Sequence, residues 1–341
     1  MAAKHLNGYE RLVSTIEGSE VDCLAFMPIT MMFAADQIGV KYGTYATDFR
    51  TLVEAQLHMA EKFDADHVSC ISDPAREAGD CGSKVQFFED QPPAIIENAV
   101  AIQDKATLAT LNMPDPLADG RMFDRVKAAE LFKKHVGGQK IIQGWVEGPI
   151  AMGADLRGLN TLMLDLIDDP VFTGDLFAFC TELALRFAKA QINAGADMIG
   201  IGDAAASLAG PKLYKELIWP YEKKVVDGIR EMGGRVDLHI CGRTQALLEP
   251  MGKLGCDIVD LDSLAPLSEA RAQMGLNQVL LGNIDPVRIL RNGSSENVYR
   301  AIEECHRQAG SRYVVSAGCE VPRDTPVENL NAMREYARSH H

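Results

Sequence analysis

Residues 236–244 read VDLHICGRT and place a histidine and a cysteine two positions apart at the end of an apolar run. Side chains two positions apart on a β-strand point to the same face, so we expect His239 and Cys241 to lie side by side. Imidazole nitrogen and cysteine sulfur are ligands that favour Zn²⁺ over Mg²⁺ or Ca²⁺. A hydrogen-bonded strand histidine beside a buried thiol would give the same pattern, so the pair alone leaves two interpretations open.

Cys319 is a third candidate ligand, in the segment SAGCEVPRDTP that follows a later apolar run. Catalytic Zn²⁺ sites use three protein ligands and leave one position open. The two cysteines and the histidine therefore predict a catalytic zinc site, provided that the fold brings two distant strands across one opening. Cys70, Cys180 and Cys305 lie within apolar strand or helix patterns and are expected to be structural thiols.

The strands that must position these residues are eight short apolar runs, which alternate with longer helical patterns. The runs are CLAFMP (23–28), DHVSCIS (66–72), KIIQGWVEG (140–148), DMIGIGD (197–203), RVDLHIC (235–241), DIVDLD (257–262), QVLLGNI (278–284) and RYVVSAG (312–318). Apolar strands that alternate with helices indicate a parallel sheet, and eight such units predict an α/β protein with a (β/α)8 TIM barrel. An open doubly wound sheet is the alternative, but the GxGxxG fingerprint after the first strand is missing.

We expect one barrel domain over residues 1–341, with an insertion after the second strand. Residues 80–138 break the alternation and contain SKVQFFEDQPPAIIENAV and DGRMFDRVKAAELFKKHVGG. The paired prolines favour a short hairpin or lid. Residues 80–138 are therefore predicted to form a cap over the barrel mouth rather than a separate domain.

In a barrel enzyme the reactive groups lie at the carboxyl ends of the strands. We predict catalytic roles for Glu147 and Asp203, which end the third and fourth strands. Substrate-binding roles are predicted for further polar residues at or near strand ends: Asp73, Arg76, Arg243, Asp262 and Asn283. The alternatives are structural, because an aspartate after a strand is often a helix N-cap, as for Asp73, and Glu147 has the alternative of a solvated loop position.

The net charge and the hydropathy of the sequence exclude some classes of binding partner and of cellular location. The net charge of −14, with lysine and arginine scattered along the chain, argues against nucleic acid or an anionic membrane surface as a partner. The sequence contains no apolar stretch of membrane-spanning length and no apolar signal core near its start. We therefore expect a cytoplasmic protein whose cysteines are reduced.

Four motifs, LHICGRT, AGADMIGIGDAAAS, LLGNIDP and AGCEVPRDTPVENLNAM, resemble the uroporphyrinogen decarboxylase superfamily. The similarity is to its zinc- and corrinoid-dependent methyltransferase branch, which includes methylcobamide:coenzyme M methyltransferases and the methyltransferases of O-demethylation systems. The resemblance implies a TIM barrel and a catalytic zinc held by His239, Cys241 and Cys319, all of which are intact here.

The resemblance further implies methyl transfer between a corrinoid, carried by a separate partner protein, and a small substrate. The substrate is left open among a thiol such as coenzyme M, tetrahydrofolate, a methoxylated compound and a methylamine-derived pathway, and so is the direction of transfer. Glu147 or Asp262 is the candidate fourth zinc ligand. Asp203 is expected either to order the surroundings of the metal or to move a proton.

Two alternatives come from other functional classes. A metal-free carboxy-lyase like uroporphyrinogen decarboxylase would contain no zinc and would depend on a carboxylate such as Asp73. That family carries an arginine-rich RQAGR-like segment near its N-terminus, whereas the comparable stretch here, FMPITMMFAADQIG, has no arginine. A protein that only delivers a methyl acceptor would bind ligand without turnover.

Overall fold

The computed structural model describes residues 5–341, in which ten strands form an eight-stranded parallel sheet and a two-stranded hairpin. The strands are β1 (Ala25–Phe26), β2 (His67–Ser69), β3 (Val85–Gln86), β4 (Ala94–Ile95), β5 (Ile141–Glu147), β6 (Met198–Gly202), β7 (Arg235–Ile240), β8 (Ile258–Leu261), β9 (Val279–Leu281) and β10 (Tyr313–Val315). The order in the large sheet is β1-β10-β9-β8-β7-β6-β5-β2. The Asp66 amide donates to the Phe26 carbonyl at 2.8 Å, which links the two outermost strands. The predicted (β/α)8 barrel is confirmed.

Helices between the strands cover the outside of this sheet. They are α1 (Gly8–Glu17), α2 (Met32–Gln37), α3 (Tyr42–Thr47), α4 (Phe49–Lys62), α5 (Ala75–Asp80), α6 (Arg121–Val136), α7 (Pro149–Arg157), α8 (Leu159–Asp168), α9 (Pro170–Ala194), α10 (Gly210–Leu213), α11 (Trp219–Glu231), α12 (Leu248–Gly252), α13 (Leu267–Met274), α14 (Ser295–Ala309) and α15 (Val327–Ser339). Every residue of β5, including its apolar positions on both faces, is buried, as expected for a parallel strand covered by helices. Across residues 5–341, no helix is both long enough and apolar enough to cross a bilayer.

Helix α1 closes the amino-terminal end of the barrel. The Asn7 side chain accepts from the Glu10 amide, and the Glu10 side chain accepts from the Asn7 amide, so a capping box fixes its start. Leu12 is fully buried in an apolar layer with residues that end or begin barrel strands, among them Met198 and Ile258. Arg11 places Nη1 2.6 Å from Asp66 Oδ1 and so ties the helix to the barrel rim. The opposite, carboxyl end of the barrel is left for the functional site.

The insertion predicted at residues 80–138 divides into two parts. Strands β3 and β4 form the antiparallel hairpin, with Val85 paired to Ile95. Short 3-10 turns follow at Glu97–Ala99 and Lys105–Thr110. Helix α6 instead packs against α4, α9 and β5, so it belongs to the outer ring of the barrel rather than to a cap. The part of the insertion that reaches the mouth is the hairpin and the segment after it.

Candidate metal centre

Three side chains from two distant strands meet at the carboxyl end of the barrel. His239 lies near the end of β7, Cys241 follows that strand, and Cys319 follows β10. Their ligand atoms all lie within 4.8 Å of one another. His239 Nε2 is 2.9 Å from Cys241 Sγ, and the two sulfur atoms are 3.8 Å apart. The structure therefore brings together all three residues predicted to bind metal.

The imidazole of His239 is oriented from behind by Asp260. The two residues are register partners in β7 and β8, and His239 Nδ1 lies 3.0 Å from Asp260 Oδ2. A carboxylate in this position fixes the ring tautomer and leaves Nε2 toward the thiols, as in many zinc sites. Burial opposes a charged ring, but the Asp260 carboxylate raises the pKa of His239 well above its usual value.

Asp260 was not among the residues predicted from the sequence. The sequence does indicate the face on which Asp260 lies: in the strand DIVDLD it is two positions before Asp262 and so shares its face. Recognising it as the partner of His239 requires the register between β7 and β8, which the sequence does not provide.

Of the two cysteines, Cys319 is the one whose thiolate form is favoured, because the pKa of Cys319 is lowered and that of Cys241 is raised. The hydrogen bond between the thiols, which outweighs the opposing effect of burial, lowers the pKa of Cys319 to about 4. The thiolate is the form of cysteine that binds metal. A thiolate, a second cysteine and an imidazole whose Nε2 faces the thiols form a soft donor set that fits Zn²⁺.

A cavity of about 530 Å³ opens beside Cys241. Most of its wall is apolar and comes from α7, the hairpin and the loop after β6. The lining residues are Pro74, Ile95, Glu97, Val100, Glu147, Ala151, Ala154, Asp155, Gly158, Leu159, Ala204, Ala205, Ser207, Leu208, Cys241 and Gly242. A small molecule in this cavity would therefore lie next to the candidate metal ligands.

Glu147, one of the two predicted catalytic groups, lines the cavity at the end of β5. It is only 7% exposed, so it is not the solvated loop residue of the alternative interpretation. Its Oε1 lies 3.2 Å from Nη2 of Arg76, which is itself fully buried. Burial, followed by the charge of Glu77, raises the pKa of Glu147 well above its usual value.

Asp203, the other predicted catalytic group, lies behind the cavity wall rather than in it. The residue is fully buried, and its Oδ1 accepts a hydrogen bond of 2.7 Å from the amide of Ala151 in the first turn of α7. Burial, followed by the charge of Glu222, raises its pKa well above the usual value. In the structure Asp203 caps a helix that contributes to the cavity.

None of the five residues predicted to bind substrate is among the residues that line the cavity. Asp73 forms an ion pair with Arg121 and accepts from the Ala75 amide at 3.2 Å, so it also has the helix-start role of the alternative interpretation. Arg76 is fully buried and bonded to the Asp73 carbonyl as well as to Glu147. Binding of substrate by these residues stays a prediction.

The remaining three lie in the segments that follow β7, β8 and β9. Asp262 Oδ2 accepts from the Gly242 amide at 2.8 Å and so holds the backbone next to Cys241. Asn283 donates to the carbonyls of Asp262 and Ala265 at 2.9 and 2.6 Å. Arg243 is exposed to solvent at the mouth. Asp262 and Asn283 therefore hold loops beside the candidate metal centre, and substrate binding by all three stays a prediction.

Known proteins resemble the chain over nearly its whole length. Methylcobamide:CoM methyltransferase MtbA of Methanosarcina acetivorans is 29% identical over 345 residues, with 97% of each sequence covered. Uroporphyrinogen decarboxylase of a Synechococcus species is 27% identical over 295 residues, covering 84% of this chain and 83% of that enzyme. A solved structure of a methyltransferase from Methanosarcina mazei superposes with a TM-score of 0.89 over 98% of this chain and 99% of that one; at 21% identity it supports the fold alone.

These relatives bear on two predictions made from the motifs. Methyltransferases match 95–97% of the chain, which confirms the predicted enzyme class. The family description of uroporphyrinogen decarboxylase matches residues 7–340, and the chain therefore belongs to the uroporphyrinogen decarboxylase family.

Proposed function

We propose that the protein transfers a methyl group between a corrinoid, carried by a separate protein, and a small molecule bound beside a zinc ion. The observation that carries the proposal is the convergence of His239, Cys241 and Cys319 next to a cavity at the barrel mouth. Bound Zn²⁺ would supply a Lewis acid that lowers the pKa of a thiol or polarises an ether oxygen. Names of the relatives, which refer to methylcobamide, support the corrinoid part of the proposal.

The residues around the candidate zinc site have separate roles in orienting the ligands and shaping the cavity. Asp260 orients His239, and Asp262 holds the Gly242 backbone beside Cys241. Glu147 is the candidate fourth ligand that lines the cavity together with Cys241, whereas the carboxylate of Asp262 is engaged by the loop. The apolar wall limits water near the reacting groups and strengthens electrostatic interactions there.

The partner must approach the carboxyl face of the barrel. A corrinoid is larger than a cavity of about 530 Å³ accommodates together with a substrate, so its protein must dock over the mouth. Leu159 and Leu208 line the cavity and are also exposed, which places apolar surface at the rim. Such a rim suits a protein partner better than bulk water.

The test combines metal content with methyl transfer from methylcobalamin. The purified protein is expected to hold about one zinc per chain and to remove the methyl group from methylcobalamin with one of several acceptors: coenzyme M, homocysteine and tetrahydrofolate. Demethylation of methoxyarenes in the presence of Co(I) corrinoid tests the reverse direction. Cys319→Ala is expected to lose the zinc and the activity, whereas Cys23→Ala, which removes a buried thiol just before β1 at the amino-terminal end of the barrel, is expected to retain both.

A metal-free carboxy-lyase is the competing function within the same family. Its substrate class, a tetrapyrrole with many carboxylates, needs cationic groups, and no lysine, arginine or histidine is among the residues that line the cavity within positions 5–341. Cys319→Ala with full zinc content and unchanged activity, or decarboxylation by zinc-free protein, would overturn the methyl-transfer proposal.

A further inference from the structure

The cavity beside Cys241 has an acidic and apolar lining. Three carboxyl groups, those of Glu97, Glu147 and Asp155, line it, and the rest of the wall is mainly alanine, leucine, isoleucine and valine. Within the part of the chain that the structure describes, no basic side chain contributes to this lining. Arg243, the basic residue nearest to Cys241 in sequence, is exposed to solvent outside the cavity.

The two arginines near the carboxylates of the site, Arg76 and Arg121, already form ion pairs with other carboxylates. Arg121 binds both oxygens of Asp73, with its Nη1 2.6 Å from Oδ1 and its Nη2 2.5 Å from Oδ2. Arg76 is shared between Glu147 at 3.2 Å and Glu77 at 3.5 Å. Because the charges of both arginines are balanced by these carboxylates, neither arginine is available to pair with an anionic ligand.

Asp155 has no such partner. It lies on α7 and lines the cavity, and its Oδ2 is buried with no hydrogen-bond partner among residues 5–341. Burial, followed by the charges of Glu77 and Asp73, raises its pKa to about 7. Asp155 is half-buried, but a carboxylate oxygen that is buried without a partner is costly, and positive charge supplied by a nearby ligand would relieve that cost.

We propose that the cavity selects a methyl substrate with an apolar body and a cationic head that faces Asp155, and that it excludes anionic substrates. This inference rests on the proposed function, because it names the substrate class of the same site. A sulfonate or carboxylate here would lie beside Glu147 and Asp155 with no basic side chain to balance it. An ammonium head would instead gain Coulomb attraction in a partly desolvated setting.

Matched thiols of one size test the charge preference directly. Thiocholine carries a trimethylammonium head, 3,3-dimethylbutane-1-thiol is its uncharged carbon isostere, and 2-mercaptoethanesulfonate carries a negative head. Isothermal titration of the zinc-loaded protein is expected to rank them in that order, with thiocholine at least about tenfold tighter than the sulfonate. A sulfonate that binds as tightly as the isostere, a cation no tighter than the isostere, or no binding by any of the three would overturn the proposal.

Asp155→Asn keeps the shape of the side chain and removes its charge. The variant is expected to reduce the preference for thiocholine over its isostere by about tenfold while leaving affinity for the isostere unchanged. Asp168→Asn, which removes an exposed carboxylate at the end of α8, is the matched control and is expected to retain the preference. An equal effect of both substitutions would show that overall charge, rather than Asp155, sets the order.

Methyl transfer from methylcobalamin is measured in parallel and separates the two proposals. Transfer to the sulfonate in preference to thiocholine would overturn the inference about charge and leave the proposed function standing. A charge preference in binding without demethylation of methylcobalamin by any acceptor would leave the cavity inference standing and overturn the proposed function.

Discussion

His239 depends on Asp260 as much as on its position in the strand, because the carboxylate decides which ring nitrogen faces the thiols. Asp260 Oδ2 lies 3.0 Å from His239 Nδ1, and both side chains are buried. Asp260→Asn is expected to weaken zinc affinity by about 10–100-fold through loss of the carboxylate charge that lies against the ring. Competition with a chromogenic zinc chelator measures the effect.

Asp237→Asn is the control for this substitution. Asp237 lies two positions earlier in β7 and is also buried, but its Oδ2 accepts from Gln143 at 2.8 Å. Zinc affinity is expected to fall less than in Asp260→Asn, since the charge of Asp237 acts on His239 without the 3.0 Å pairing that Asp260 makes. Equal losses in the two variants would assign the effect to the barrel interior as a whole.

Asp155 is expected to make stability depend on pH. Its pKa rises from 3.8 to about 7 on folding because of burial and of the charges of Glu77 and Asp73, a rise that Arg76 partly opposes. The native state then holds a proton that the unfolded chain releases, so this group's contribution to stability falls as pH rises from about 4 to 7.

Asp155→Asn removes that dependence. The variant is expected to gain roughly 1–3 kcal/mol relative to the unsubstituted protein between about pH 4 and pH 7, with no further gain above. Urea unfolding across that range measures the difference, and Asp168→Asn provides the baseline. A difference that is constant with pH would contradict the assignment of this proton to Asp155.

At the scale of elements, strand alternation and barrel closure predict that the three candidate metal ligands meet at one mouth, and the family resemblance adds the expectation of zinc. His239 and Cys241 share a face because they are two positions apart, and Cys319 follows the strand that the closed sheet carries to the same mouth. Asp155 could not be found this way, because its place in the cavity depends on how α7 is rotated about its own axis. The sequence also does not show where the insertion ends, because the helical pattern of α6 would be the same in a cap and in an outer-ring helix.

Asp203 links two of these elements. It follows β6, and its Oδ1 accepts from Ala151 at 2.7 Å, so it caps α7 from a neighbouring strand. Asp203→Ala is expected to lower the free energy of unfolding by about 1–2 kcal/mol, as for the loss of a helix cap, and to weaken ligand binding because α7 lines the cavity.

Asp48→Ala separates the two effects. Asp48 caps α4, where its Oδ2 accepts from the Thr51 amide at 3.1 Å, and it does not line the cavity. Its loss is expected to cost a similar free energy of unfolding and to leave the affinity for thiol ligands unchanged. Comparison of denaturant unfolding with ligand titration in the two variants tests whether Asp203 acts on the cavity through α7.

On the scale of the whole molecule, the two ends of the barrel have different tasks. The carboxyl end holds the candidate metal centre and a cavity lined by α7, the hairpin segment and the loop after β6. The amino-terminal end is filled by α1 and an apolar layer around Leu12, with the buried Arg11–Asp66 ion pair at its rim. Substitutions at the amino-terminal end are therefore expected to change stability, and substitutions at the carboxyl end are expected to change zinc and ligand binding.

Leu12→Ala tests this division. Leu12 is fully buried in the apolar layer that closes the amino-terminal end, so its truncation is expected to lower the free energy of unfolding by about 2–5 kcal/mol. The strands that carry His239 and Cys319 keep their remaining contacts, so zinc content and affinity for thiol ligands are expected to be unchanged at temperatures where the variant is folded. Denaturant unfolding measures the first quantity, and metal analysis with ligand titration measures the others. A loss of zinc from the folded variant would mean that packing at the closed end sets the geometry at the open one.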